Sequence, residues 1–264
     1  MVIKELIEYL ETIAPAKYQE DYDNAGLIVG DPMAEIKGVL ICLDSTEAVV
    51  AEAVEKGCNL IIAHHPIVFR GLKRLNGSNY VERVVMEAIR RDIAIYAIHT
   101  NLDNVFYNGV NSKISDRLGL LEQEILAPKT AYPGGLVGAG MIGWLPEAME
   151  EGDFLRFLKE QMQAKCIRHT ALSGRPVSKV AVCGGAGGFL LREALQKGAD
   201  AFVTADYKYH EFFDADGRIV ICDIGHYESE HYTIELLFDL ISKKMLNFAA
   251  HCTKVDTNPI QYFY

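Results

Sequence analysis

The sequence predicts an α/β protein built on mostly parallel sheets. Three observations carry this. Short apolar runs alternate with helix-patterned stretches along most of the chain, as at 38–44, 45–57, 59–66, 79–91 and 93–103, and again from 179 to 245. The apolar runs are continuous rather than alternating, as expected for strands covered on both faces. Half of the 264 residues are hydrophobic and 23% are charged, a globular balance that excludes a disordered chain. At about 150 residues per domain, the length predicts two domains.

The elements follow in order. Residues 2–13 place Ile3, Leu6, Ile7 and Leu10 on one helical stripe. YDNAGLIVGDP contains a short apolar strand between turns. GVLICLD (38–44) reads as a buried strand, and the following helix takes Ser45 as N-cap and Gly57 as its stop. NLIIAHHP (59–66) is a strand ended by Pro66, which lacks the N–H needed for a ladder. A helix covers 79–91, and 93–103 is a strand running into a loop. Gly- and Pro-rich residues 126–145 form β-structure or a linker, and a helix covers about 151–164. A strand at 179–185, a helix at 188–197 and strands at 200–206 and 218–225 come next. Residues 226–245 predict one long helix, and the tail predicts two short strands around the turn Asp256-Thr257-Asn258-Pro259.

Residues 38–65 align without gaps to 179–206, with six identities: Val39, Cys42, Glu52, Ala53, Lys56 and Gly57 against Val180, Cys183, Glu193, Ala194, Lys197 and Gly198. Binary patterning makes any two strand-helix-strand units alike to some degree, but the shared Lys-Gly helix ending supports a duplication. In this register His64 and His65 fall opposite Ala205 and Asp206. The repeat assigns 1–125 with 235–264 to a first domain and 126–234 to a second, inserted one.

The formal charge of −10 argues against a broad nucleic-acid or anionic-membrane surface while leaving room for a small anion site. No apolar run approaches the roughly 18 residues of a membrane span. The N-terminal stretch carries Lys4, Glu5, Glu8 and Glu11, unlike a signal peptide. Six scattered cysteines without a CxxC pair point to a reducing cytoplasm and away from a zinc ribbon.

Ligands of open α/β sheets gather at the carboxyl ends of strands, and three such ends here carry metal-ligand types. His64 and His65 would point to opposite faces of a regular strand, so both reach one site only if the chain turns at Pro66. His99 and Asp103 follow another apolar run, where an Asx-turn is the simpler alternative. His226 and Glu230 open the long helix about 40° apart, hence on one face, while Glu228 and His231 are rotated off it. A surface pair is the alternative there. Together His64, His65, Asp103, His226 and Glu230 exceed the usual ligand count of one zinc and suit two bridged divalent ions. Their mixed nitrogen and oxygen donors fit zinc, iron, manganese or nickel without choosing among them. Gly184, Gly185, Gly187 and Gly188 lie between a strand and a helix, where backbone amides could cradle phosphate, although a plain strand-to-helix turn is the better reading. No GxSxG motif supports a serine nucleophile.

The stretches YDNAGLIVGDP, LIIAHHPIVF, IYAIHTNLDNV with NGVN, VAVCGGAGG, ICDIGHYESE and DTNPIQYF run nearly end to end. Their combination resembles the NGG-interacting-factor-three-like proteins, also known as GTP cyclohydrolase I type 2 homologues. The resemblance implies two similar, interleaved α/β domains with a dinuclear metal site in the cleft between them. It implies His64, His65, Asp103, His226 and Glu230 as the ligands, with His99 orienting a ligand or substrate. It further implies a toroidal homohexamer in the short family form. The family's name implies opening of a purine ring by metal-dependent hydrolysis, for which His99 or Glu228 would be the proton donor. The competing functions are a non-catalytic metal-dependent binding, regulatory or metal-handling protein and, against the charge, a nucleic-acid-binding ring.

Overall fold

The computed structural model describes residues 1–132, 134, 136–244 and 248–263. The chain starts with α1 (Ile3–Ile13), whose Glu5 carboxylate accepts the Val2 backbone N–H at 2.8 Å and caps the first turn. Ile3, Leu6 and Leu10 are its buried stripe. β1 (Gly26–Val29), β2 (Gly38–Cys42), α2 (Glu47–Glu55), β3 (Leu60–Ala63), α3 (Tyr80–Arg90) and β4 (Ala94–Ala97) follow. The N-cap of α2 is Thr46, whose hydroxyl accepts from Val49, while the expected Ser45 is buried instead. Gly57 ends that helix at φ +68°, a left-handed turn that favours glycine. Where a loop was expected after β4, Thr100–Asp103 forms a one-turn helix, α4.

α5 (Val110–Arg117) has no counterpart among the expected elements, and β5 (Leu121–Pro128) pairs antiparallel with β6 (Gly138–Met149) through the Gly- and Pro-rich region. Gly138 leaves no room for a side chain there, since a Cβ would meet the Ala127 carbonyl at 2.2 Å. α6 (Glu151–Gln161), β7 (Arg168–His169), β8 (Val177–Ala186), α7 (Leu191–Gln196), β9 (Ala201–Ala205) and β10 (Val220–Asp223) complete the second half. The expected long helix is broken into α8 (His226–Glu230) and α9 (Thr233–Lys244), and its expected end at Met245 lies outside the described residues. Among the described residues the tail holds one strand, β11 (Ala249–Cys252), rather than two. Beyond it, Asp256 and Asn258 each accept the amide two residues on, and these Asx-turns compete with strand pairing.

The chain divides into two compact units: Met1–Leu102 with Thr233–Gln261, and Asp103–Tyr232 with the C-terminus from Tyr262. The second boundary lies close to the expected 234. The first lies at 102 rather than 125, because α5 packs on β8 and β5 pairs with β6 in the second sheet.

The first unit holds a five-stranded sheet, β1-β4-β3-β2-β11, parallel except for β1. β2, β3 and β4 are buried along their whole length. Val49, Val50 and Ala53 of α2 and Val84, Val85 and Ala88 of α3 cover one face over Leu40, Ile61 and Ile95. The second unit holds a six-stranded sheet, β5-β6-β8-β9-β10-β7, in which only β8, β9 and β10 are parallel. The internal repeat is visible in the registers. Val39 pairs with Leu60 as Val180 pairs with Ala201, and Leu60 pairs with Ala94 as Ala201 pairs with Val220. In each sheet a parallel β-β-β core ends on an antiparallel edge strand, and the one-turn helices α4 and α8 follow the corresponding strands β4 and β10. No described helix is long and apolar enough to cross a membrane.

Candidate metal centre

In the first unit, strand ends deliver three histidines to one place. His64 and His65 leave the end of β3, and their ring centroids lie 4.9 Å apart. The chain therefore turns there, as Pro66 implied. His99, two residues past β4, brings its ring centroid to 5.3 Å from each of the other two. A ligand nitrogen from each of His64, His65 and His99 lies within 4.8 Å of the other two. His64 is buried and the other two are half-buried.

Each ring is anchored by its Nδ1. That of His64 donates to the Ile98 carbonyl at 2.9 Å, that of His65 to Asp44 at 2.7 Å, and that of His99 to Asp23 at 2.8 Å. An Nδ1–H spent on an oxygen acceptor leaves the lone pair on Nε2, the tautomer and orientation of a metal-binding imidazole. The carboxylates are themselves held. Thr257 donates to Asp44 at 2.7 Å, and the backbone N–H of Thr100 donates to Asp23 at 3.0 Å. Burial would raise the Asp23 carboxyl, but the His99 ring and the Thr100 hydroxyl outweigh it and hold it at about 2. Asp23 thus stays anionic and keeps the His99 proton on Nδ1.

The second unit gathers the remaining candidates. His226 Nε2 and Glu230 Oε2 are 3.0 Å apart, one helical turn from each other, and oxygens of Asp103 and Glu230 lie within 4.8 Å. His226 Nδ1 bonds Asp206 at 2.7 Å, repeating the carboxylate anchoring. Burial opposes charge on this ring, yet Glu230 and Asp206 push it up to about 11. Two carboxylates flanking one imidazole call for positive charge, which a proton on Nε2 or a metal ion can supply. The donor chemistry therefore fits a divalent cation.

Asp206 sits at φ +53°, an uncommon conformation for a residue other than glycine and one found at functional sites. Sequence reasoning misses it as a partner, as it misses Asp23 and Asp44. One signal was present: the repeat alignment sets Asp206 opposite His65, and both sit just past equivalent strand ends.

The remaining candidates take other roles. Glu228, expected to face away, is buried, and its carboxylate folds back beside Gly225. His231 stacks on Tyr227 at 5.3 Å. The glycine stretch is the end of β8 turning toward α7, and three of its amides are engaged: Gly184 donates to Asn111, Gly185 to Ser229 and Gly187 to Thr204. These bonds favour the plain strand-to-helix turn, because a phosphate held by these amides would have to displace three side chains. The glycines serve packing instead. A Cβ at Gly185 would lie 2.5 Å from the Glu230 carboxylate, so its absence makes room for that side chain.

A sequence profile of the family described as Duf34/NIF3 (NGG1p interacting factor 3) matches residues 1–259. The chain belongs to this family. A Lactococcus lactis protein named GTP cyclohydrolase 1 type 2 homolog is 34% identical over 262 residues, 96% of each chain. A Clostridium acetobutylicum protein of the same name is 31% identical over 256 residues, covering 97% of this chain and 93% of that one. The crystal structure of a Bacillus cereus protein related to NIF3 superposes with a TM-score of 0.91 at 27% identity, covering 100% of this chain and 99% of that one. The Duf34/NIF3 fold is thus shared along the whole chain.

Proposed function

We propose that this Duf34/NIF3 protein holds two divalent metal ions through His64, His65, Asp103, His226 and Glu230 and hydrolyses a nucleotide or another phosphorylated small molecule. The observation that carries the reading is the anchoring of the histidines. His64, His65 and His226 each commit Nδ1 to an oxygen acceptor and turn Nε2 toward other ligand-type groups. The name shared by the relatives, GTP cyclohydrolase 1 type 2 homolog, points to the same class of reaction.

When bound, a pair of such ions supplies a Lewis acid and a water acidic enough to be a nucleophile at neutral pH. The chain's own residues do the rest. Asp44 and Asp206 fix the ring planes of His65 and His226. Asp23 fixes His99, and we place His99 as the group that carries a proton on Nε2 during turnover. The assembly is proposed as a toroidal homohexamer, checked by a light-scattering mass equal to six chains.

The test is elemental analysis beside an activity screen. Wild type should carry about two metal ions per chain and turn over GTP or a phosphoester only when metal-loaded. Asp103→Ala should lose that turnover. Full metal occupancy in both His226→Ala and Glu230→Ala would overturn the ligand assignment. A metal-loaded protein inert across the panel would move the reading to a non-catalytic metal-handling protein.

A further inference from the structure

Within the first unit, a loop beside the histidine cluster carries features that the metal reading does not use. Residues 64–79 connect β3 to α3 and contain Arg70, Lys73 and Arg74 but no aspartate or glutamate, in a chain whose net charge is −10. All three cations are exposed, and among the described residues none is paired with a carboxylate.

The same loop places Phe69 against the cluster, its ring centroid 6.2 Å from that of His99 in an edge-on arrangement. The ring of Tyr22 lies next to it, with its centroid 6.2 Å from that of Phe69. These rings are 46% and 64% exposed, although each is large and apolar enough to favour burial. The segment that carries Tyr22 is tied to the same place. Asp23 holds His99, and the Asn24 side chain donates to the Val68 carbonyl at 2.6 Å. Exposed Phe69 thus lies beside His99, exposed Tyr22 lies beside Phe69, and the three cations follow Phe69 in the same loop.

We propose that this loop is the recognition site for a nucleoside polyphosphate. Its base packs on Phe69 and Tyr22, and its phosphates lie along Arg70, Lys73 and Arg74. The inference rests on the metal-hydrolase reading and sharpens it. Phe69 lies between the histidines and the cations in the chain, so the base faces the histidines and the phosphates point outward. Lys73 and Arg74 are four and five residues beyond Phe69, at most about 14–18 Å along an extended chain, which suits a triphosphate tail. That orientation presents a ring carbon to the cluster rather than a phosphoester. Aromatic faces accept any base, and guanidinium groups pair well with phosphate. A polynucleotide is disfavoured because it requires a broad basic surface, whereas this patch has three cations.

The test is calorimetric titration of the full-length, metal-loaded protein with GTP, guanosine, inorganic tripolyphosphate and a single-stranded oligo-uridine. GTP should bind more tightly than either fragment. The triple variant Arg70→Ala/Lys73→Ala/Arg74→Ala should weaken GTP by about tenfold or more and leave guanosine unchanged. Phe69→Ala should weaken both GTP and guanosine by about tenfold, with Phe69→Trp restoring them. These positions are exposed, and an unchanged melting curve confirms that each variant is folded. GTP affinity unchanged in the triple variant, tripolyphosphate bound as tightly as GTP, or oligo-uridine preferred over GTP would each overturn the proposal. Normal metal content without GTP binding sinks this inference alone. Absence of metal with loop-dependent GTP binding intact sinks the catalytic reading and leaves this one standing.

Discussion

Replacing Gly185 with alanine should weaken the proposed metal centre without unfolding the protein. Gly185 lies in β8 at φ +62°, and a Cβ there would meet Glu230 Oε1 at 2.5 Å and His226 Cε1 at 3.3 Å. Ordinary contact begins at 3.4 Å, so the carboxylate must retreat by 3.4 − 2.5 = 0.9 Å. Glu230 is only 3% exposed, which leaves it little room to do so. Metal coordination tolerates about 0.2 Å, so a shift of that size would remove Glu230 as a proposed ligand. The backbone contributes separately: a non-glycine residue at positive φ costs about 1 kcal/mol. Gly198→Ala isolates that part, because Gly198 has φ +69° and a Cβ there would meet nothing within 4 Å. Gly198→Ala should melt about 2–4 °C below wild type and retain all its metal. Gly185→Ala should melt lower still and bind metal at least tenfold more weakly. The assay is elemental analysis after dialysis against a weak chelator, paired with thermal denaturation. A Gly185→Ala protein with full metal content and the melting point of Gly198→Ala would refute the reasoning.

Other expectations follow from the anchoring carboxylates, one buried acid and the thiols. Asp44→Ala, and Asp206→Asn, which keeps a residue tolerant of φ +53°, should each weaken metal affinity about 10–100-fold in a chelator competition while leaving the five proposed ligands in place. Burial raises the Glu52 carboxyl, but bonds from Thr253, Lys254 and Lys56 outweigh it and hold it below the usual range. Its folded pKa is therefore below the unfolded value of about 4.3, so its contribution is present above that pH and fades as pH falls through the folded value. Glu52→Gln should cost about 1–3 kcal/mol at pH 7, and the gap to wild type should close as melts are taken toward pH 3. Finally, a thiol reagent should modify exposed Cys166 in the native protein and half-buried Cys252 more slowly. It should reach Cys42, Cys58, Cys183 and Cys222 only on denaturation, because burial closes them off and raises their pKa.

Much of the candidate site's local geometry was legible because each candidate belongs to a local pattern. The His226–Glu230 spacing fixes a shared helical face, and the structure puts their side chains 3.0 Å apart. His64-His65-Pro66 contains its own turn, and the two rings meet. The repeat was legible for the same reason: strand, helix and Lys-Gly ending recur at a constant offset, and the ladder registers reproduce it. The long helix misled because nothing in the sequence at His231 and Tyr232 signals a stop, while the helix breaks there and the chain passes from one unit to the other. The pattern records which residues are buried, not which sheet they are buried against.

The sequence by itself determined the alternation of strands and helices, the duplicated half and the ligand types at strand ends, because these depend on periodicity over a few residues. Only the tertiary structure decided that Asp23 reaches His99 across 76 positions, that Asp44 reaches His65 across 21, that α5 packs on β8 and that β5 joins the second sheet. Such partners are set by strand order and by packing over long separations in the chain. Local spacing carries no record of either.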